Sequence, residues 1–173
     1  MAQAETQSAP TVEKAAEPIL NLNFLSHGTL ESLDLERSRE FYTEFLGLEV
    51  VRTSEISLLI RLGGPNTIAV VKTAKKAEMS FLNHNGIDVA TEAEVDAAHA
   101  KVVEHAERYG LKKITRPQTQ HGTYSFYFWD GDDNAWEILT NPKGGYSWLF
   151  ERGDQEGRGH LDKDFERPPE TRK

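Results

Sequence analysis

The chain has 173 residues, 38% of them hydrophobic and 28% charged, a formal net charge of −8, and no cysteine. That length accommodates one ordinary domain or two small modules sharing a core. Net negative charge without a basic run excludes a general nucleic-acid or anionic-membrane binder. The lack of cysteine excludes disulfides, zinc ribbons, iron–sulfur clusters and a thiol nucleophile, and no stretch approaches the roughly 18 apolar residues that span a bilayer.

Residues 1–18, rich in Ala, Gln, Glu, Ser and Pro without apolar periodicity, read as a disordered tail. They show neither a basic n-region nor an apolar h-region, so no signal peptide is expected and a cytoplasmic protein is the default. Residues 19–73 read as a first module. Its strand, Ile19–Ser32, passes through Ser26-His27-Gly28-Thr29. Asp34 can cap a helix in which Leu35, Ser38, Phe41, Tyr42 and Phe45 recur at helical spacing, with Gly47 as its end. Strands follow at Glu49–Thr53, Ser57–Leu62 and, after the Gly63-Gly64-Pro65-Asn66 turn, Thr67–Thr73.

Residues 74–79 read as a linker, and residues 80–143 repeat the order as a second module. Ser80–Val89 predicts a strand through His84, and Thr91 caps a helix over Glu92–Tyr109 that Gly110 ends. Leu111–Arg116 predicts a further strand. A hairpin completes the module: alternating Tyr124–Trp129, five turn-forming residues Asp130–Asn134, and Ala135–Leu139. In residues 144–173 an aromatic segment, Gly144–Phe150, is expected to pack back on the domain ahead of a charged tail.

The chain thus predicts an α+β fold of two tandem βαβββ modules. Superposing them sets His27 opposite His84, and Asn66 opposite Asn134, which makes Ala69 the counterpart of Glu137. Glu137 interrupts an apolar run between Trp136 and Ile138; its face is either wet, or the carboxylate is paired or binds a metal. Two histidines and a carboxylate that converge leave coordination positions open. Such a set points to non-haem Fe(II) ahead of Mn, Co, Ni or Zn, with His27, His84 and Glu137 as ligands.

The stretch HGTLESLDLERSREFYTEFLGLEV, with its second-module counterpart from His84 to Leu139, resembles the vicinal oxygen chelate superfamily. That superfamily includes glyoxalase I, bleomycin- and fosfomycin-resistance proteins and extradiol dioxygenases. The resemblance implies paired modules forming an open, partly closed mixed β-barrel around a divalent metal. The position that supplies a fourth ligand in glyoxalase I and methylmalonyl-CoA epimerase is Ala69 here, leaving three ligands. The hairpin is similar to the extradiol signature through His121, Phe126-Tyr127, Asp130 and Glu137. Gly131 stands where that signature has proline, and His121 sits about three positions closer to the glutamate. The family's acid–base histidine has no counterpart among Ala69, Val70, Val71 and Lys72, which leaves Lys72 or His121 as conjectural replacements.

By this resemblance the expected function is Fe(II)-dependent extradiol cleavage of a catechol-like aromatic with O2, with His121 or Tyr127 bonding the substrate and moving a proton. The alternatives are a glyoxalase-like lyase or isomerase, a thiol transferase, or a metal-free small-molecule binding protein. The expected partners are a small aromatic substrate and O2, with no nucleic acid or membrane; a homodimer is expected by analogy. Phe24, Phe126, Phe128, Trp136, Tyr146 and Trp148 can line an aromatic pocket or serve as ordinary core. Asp130–Asn134 lacks the Gly and final Glu of a calcium loop and reads as a turn. His99, His105 and His160 read as surface residues.

Overall fold

The computed structural model describes residues 16–20, 22, 25–120, 122–141, 145, 146 and 150. The first module comprises strand β1 (His27–Ser32), helix α1 (Leu35–Glu40) and strands β2 (Glu49–Ser54), β3 (Ser57–Arg61) and β4 (Thr67–Lys72). These strands form a sheet in the order β1-β4-β3-β2, with β1 parallel to β4 and the other pairs antiparallel. The second module repeats it with β5 (Asn85–Asp88), helices α2 (Glu92–Glu104) and α3 (Ala106–Tyr109), then β6 (Gln118–Gln120), β7 (Thr123–Trp129) and β8 (Ala135–Thr140). Its order is β5-β8-β7-β6, with β5 parallel to β8. The duplication read from the sequence is therefore present in the strand topology itself.

Local chemistry sets the element ends. Asp34 accepts from the amides of Glu36 and Arg37 to start α1, which widens into a π-helical turn over Phe41–Phe45 and buries Phe41 and Tyr42 together. Gly47, at φ +68°, takes the left-handed conformation that leads into β2. At α2, Thr91 and Glu94 form a reciprocal capping box.

Several expected bounds differ. β1 begins at His27 rather than Ile19, because its six-residue partner β4 offers nothing upstream of Thr67 to pair with. Ser80 caps a single 3-10 turn over Phe81–Asn83, so the second module's first strand starts only at Asn85. The expected helix to Tyr109 divides at His105. The expected strand over Leu111–Arg116 is reduced to one bridge between Lys112 and Trp129. Lys113, at φ +50°, breaks the extended run, and the strand forms instead at Gln118–Gln120.

One hydrophobic core joins the modules. Leu30, Leu58, Ile60 and Val70 of the first sheet meet Phe126, Phe128, Trp136 and Ile138 of the second, with Phe41, Tyr42, Val95, Val102 and Tyr109 between. Each such side chain contributes about 1.5–3 kcal/mol on burial. The helix-covered face of each sheet thus turns into this shared core, and its other face turns away from it. The expected barrel is modified accordingly: among the described residues the two four-stranded sheets stay separate and close no barrel.

The β7–β8 turn bolts the modules together. Asp132, 4% exposed, accepts from Leu33 N, Arg37 Nη2 and Ser38 Oγ, while Asn134 Nδ2 donates to Glu31 O. Asp130 beneath it accepts from Trp136 Nε1 and the amides of Asp132 and Asn134. A Cβ on Gly131 would meet Tyr109 O at 2.9 Å, so close packing on α3 requires glycine at this position. No helix among the described residues is long and apolar enough to cross a membrane.

Candidate metal centre

Alternation along β8 sends Trp136 and Ile138 into the core and Glu137 to the opposite face. Glu137 sits across from Tyr127 of β7 and Gly86 of β5. The wet-face alternative is overturned: Glu137 is 5% exposed. The segment ahead of β5 covers it, with Met79 packed on Tyr127, Trp129 and Ala135, and the Phe81 ring 4.5 Å from that of Tyr127. A Cβ on Gly86 would point to the same side, 3.8 Å from Glu137 Oε2.

His84 approaches this carboxylate directly, with Nε2 3.1 Å from Glu137 Oε2, and its ring meets Tyr127 edge-on at 4.9 Å. Its Nδ1 lies 2.7 Å from Phe81 O. A carbonyl only accepts, so the proton is on Nδ1. If the imidazole is neutral, the Nε2 lone pair faces a carboxylate oxygen, and two acceptors at that distance require a cation between them. A second proton on Nε2 or a metal ion satisfies the pair. Two donors each about 2.1 Å from one ion stand about 3 Å apart when they subtend a right angle, so the observed separation fits adjacent ligands. The carbonyl hold on Nδ1 is the arrangement that orients a metal-binding histidine.

Tyr127 stands beside the pair. Its phenol pKa is driven well above the ordinary value, first by burial and then by the Glu137 carboxylate. Tyr146, from the expected aromatic segment, is raised by burial and by the charges of Glu137 and Asp88.

His27 occupies the equivalent position of the first sheet. It stands two residues before Thr29, which faces Ala69, as His84 stands two before Gly86, which faces Glu137. Its Nδ1 is also held, 2.6 Å from Ser26 Oγ. It is exposed and on the face of its own sheet turned away from the shared core. No group of three metal-binding side chains forms among the described residues of one chain. The structure therefore brings His84, Glu137 and Tyr127 together and leaves His27 apart. His121 lies outside the described residues. Lys72 shares the side of Val70, not that of Ala69, so it does not face with His27. His99 and His105, expected on the surface, are half-buried against Phe126 and against Phe45 and Tyr109. Phe81 was missed. Its signal was Ser80 followed by an aromatic three residues before His84.

Comparison with known proteins agrees with the topology. Residues 25–138 match the family described as the Glyoxalase/Bleomycin resistance protein/Dioxygenase superfamily. The fosfomycin resistance protein FosX from Mesorhizobium loti is 26% identical, with a TM-score of 0.54, covering 70% of this chain and 94% of its own. A FosX from Listeria monocytogenes, solved with Mn(II) and dihydroxypropylphosphonic acid, is 23% identical with a TM-score of 0.55, covering 70% of this chain and 94% of its own. The hypothetical protein SA1046 from S. aureus is 24% identical with a TM-score of 0.53, covering 69% of this chain and 97% of its own. No curated protein matches the chain. With the match extending over more than half its length, the chain belongs to the glyoxalase/bleomycin resistance protein/dioxygenase superfamily.

Proposed function

We propose that the chain is a divalent-metal enzyme whose site combines His84 and Glu137 of one copy with His27 of a second. The observation that carries this is the His84–Glu137 pair, with Nε2 and Oε2 3.1 Å apart and the imidazole held by Phe81 O. His27 is its symmetry-like counterpart on a sheet face that one chain leaves open, where Val51 is 56% exposed. A two-fold assembly that sets this face over the Glu137 face of a partner makes two such sites.

The reaction we favour is extradiol cleavage of a catechol-like aromatic with Fe(II) and O2. The rings of Phe81 and Tyr127 beside Glu137 offer an aromatic substrate a stacking surface, and Tyr127, holding its proton, can donate to a substrate oxygen. The ion itself supplies Lewis acidity that lowers the pKa of an oxygen bound to it. A second reading, action on fosfomycin, is favoured by the likeness to the fosfomycin resistance protein FosX at 26% identity, and Mn(II), the ion in the Listeria FosX structure, is the ion to try with it.

Anaerobic loading with Fe(II) and with Mn(II), followed by an oxygen electrode on a catechol panel and a fosfomycin-consumption assay, separates the two. Oxygen uptake with a new yellow absorbance supports ring cleavage. Fosfomycin consumption without oxygen uptake supports the second reading. Failure of both ions to bind sinks the metal site.

A further inference from the structure

A cleft of about 450 Å³ opens between the β3–β4 turn and β5, lined by Trp136. Because Trp136 and Glu137 point to opposite sides of β8, this cleft is separate from the candidate metal centre. Half-buried Ile68 and Ile87 form apolar walls, Leu62, 55% exposed, stands at the rim, and buried Trp136 and Ile60 close the floor. The volume lies within the usual range for small-molecule sites, about 300–1,000 Å³, and is far above that of a packing defect.

The polar groups of the cleft define what fits. Arg61 is already engaged, with Nε and Nη2 at 2.6 and 3.1 Å from the Glu49 carboxylate. Asp88 is in register with Leu139, and its charge is felt by Tyr146 on the Glu137 side. The side-chain amides of Asn66 and Asn85 line the cleft and enter no side-chain hydrogen bond among the described residues. Each amide offers a donor and an acceptor. Among the described residues β5 pairs only with β8, so Gly86 brings edge-strand backbone to the same wall.

We propose that this cleft binds a small uncharged molecule with a flat apolar body and an amide-like edge. Ile68, Ile87 and Leu62 take the body over a floor closed by Trp136, and the two asparagines pair with the edge. Nothing in this assignment depends on a metal at Glu137.

Titration of the full chain with benzamide, followed by nuclear magnetic resonance, tests it. The Trp136 indole and the Asn66 and Asn85 amide resonances should shift saturably. The combined Asn66→Leu and Asn85→Leu changes should weaken binding at least about tenfold, and benzoate should bind more weakly than benzamide. Ile68→Trp, which fills the cleft, should abolish the shifts; if that variant does not fold, Leu62→Trp caps the rim instead and should do the same. Lack of a saturable shift at Trp136, shifts confined to Tyr127 and His84, or equal binding of benzoate would overturn the proposal.

Discussion

His27 opens β1 and His84 immediately precedes β5, each two residues before the position that faces Ala69 in one sheet and Glu137 in the other. The helix-covered faces of both sheets share one core, and each histidine lies away from that core. Duplication supplies equivalent positions, and packing separates them within one copy.

Metal should stabilise the fold through His84 and Glu137. An ion at about 100 times its dissociation constant adds about 2.7 kcal/mol if it binds only the folded protein. A Mn(II) or Fe(II) series should raise Tm in the wild type, and His84→Ala and Glu137→Gln should remove most of that rise. Equal rises in all three proteins would place the ion elsewhere.

Tyr127→Phe separates binding from chemistry. The hydroxyl is beside Glu137 while the ring packs on Phe81 and His84, so phenylalanine keeps the packing. Metal affinity should change by no more than a few fold, while kcat should fall about 10²-fold or more if the hydroxyl serves a proton transfer. An unchanged kcat would confine Tyr127 to packing.

The turn between β7 and β8 should prove the most sensitive structural site outside the core. Asp130→Asn replaces one of two oxygens that face only donors, Oδ2 toward Trp136 Nε1 and Oδ1 toward Asn134 N. Burial raises the pKa of Asp130, and those donors oppose the rise. An amide donor in their midst should cost about 2–4 kcal/mol; Asp132→Ala should cost about 1–3 kcal/mol, mainly by removing the acceptor of Leu33 N, since Ser38 Oγ keeps Asp34 O and Arg37 is half-exposed. Urea unfolding measures both, and a loss under about 1 kcal/mol would contradict the role given to the turn.

Much of this was legible in the sequence because it rests on local rules. The Asp34 and Thr91 caps, the 3.6-residue spacing and the hairpin turn residues fixed helices and order. Gly131, a departure from the extradiol signature, is explained only by the approach of Tyr109 O, a contact across the chain. The outward placement of His27 was illegible for the same reason. Strand alternation shows which residues share a face, but not which faces of two sheets meet.

Acid should weaken the link at Asp133. Burial raises its carboxyl pKa, but Lys112 and Lys76 outweigh it and hold the value below the ordinary one. A depressed carboxylate contributes stability above its unfolded pKa and loses it as pH falls through the folded value. Asp133, at φ +63°, occupies a conformation asparagine tolerates, so Asp133→Asn removes charge without backbone strain. The variant should be less stable than wild type at neutral pH, and the two should converge as pH falls through the lowered folded value of Asp133. Parallel stability curves at all pH values would contradict this.

Mixing subunits tests the shared site most directly. A His27→Ala copy lacks only the contribution to its partner, and a His84→Ala, Glu137→Ala copy lacks only its own. Refolded together at equal amounts, random pairing makes half the dimers mixed, each with one complete site. The mixture should regain about a quarter of wild-type metal binding, while neither variant alone binds. No gain on mixing, with wild type still binding metal, would contradict a site shared between copies.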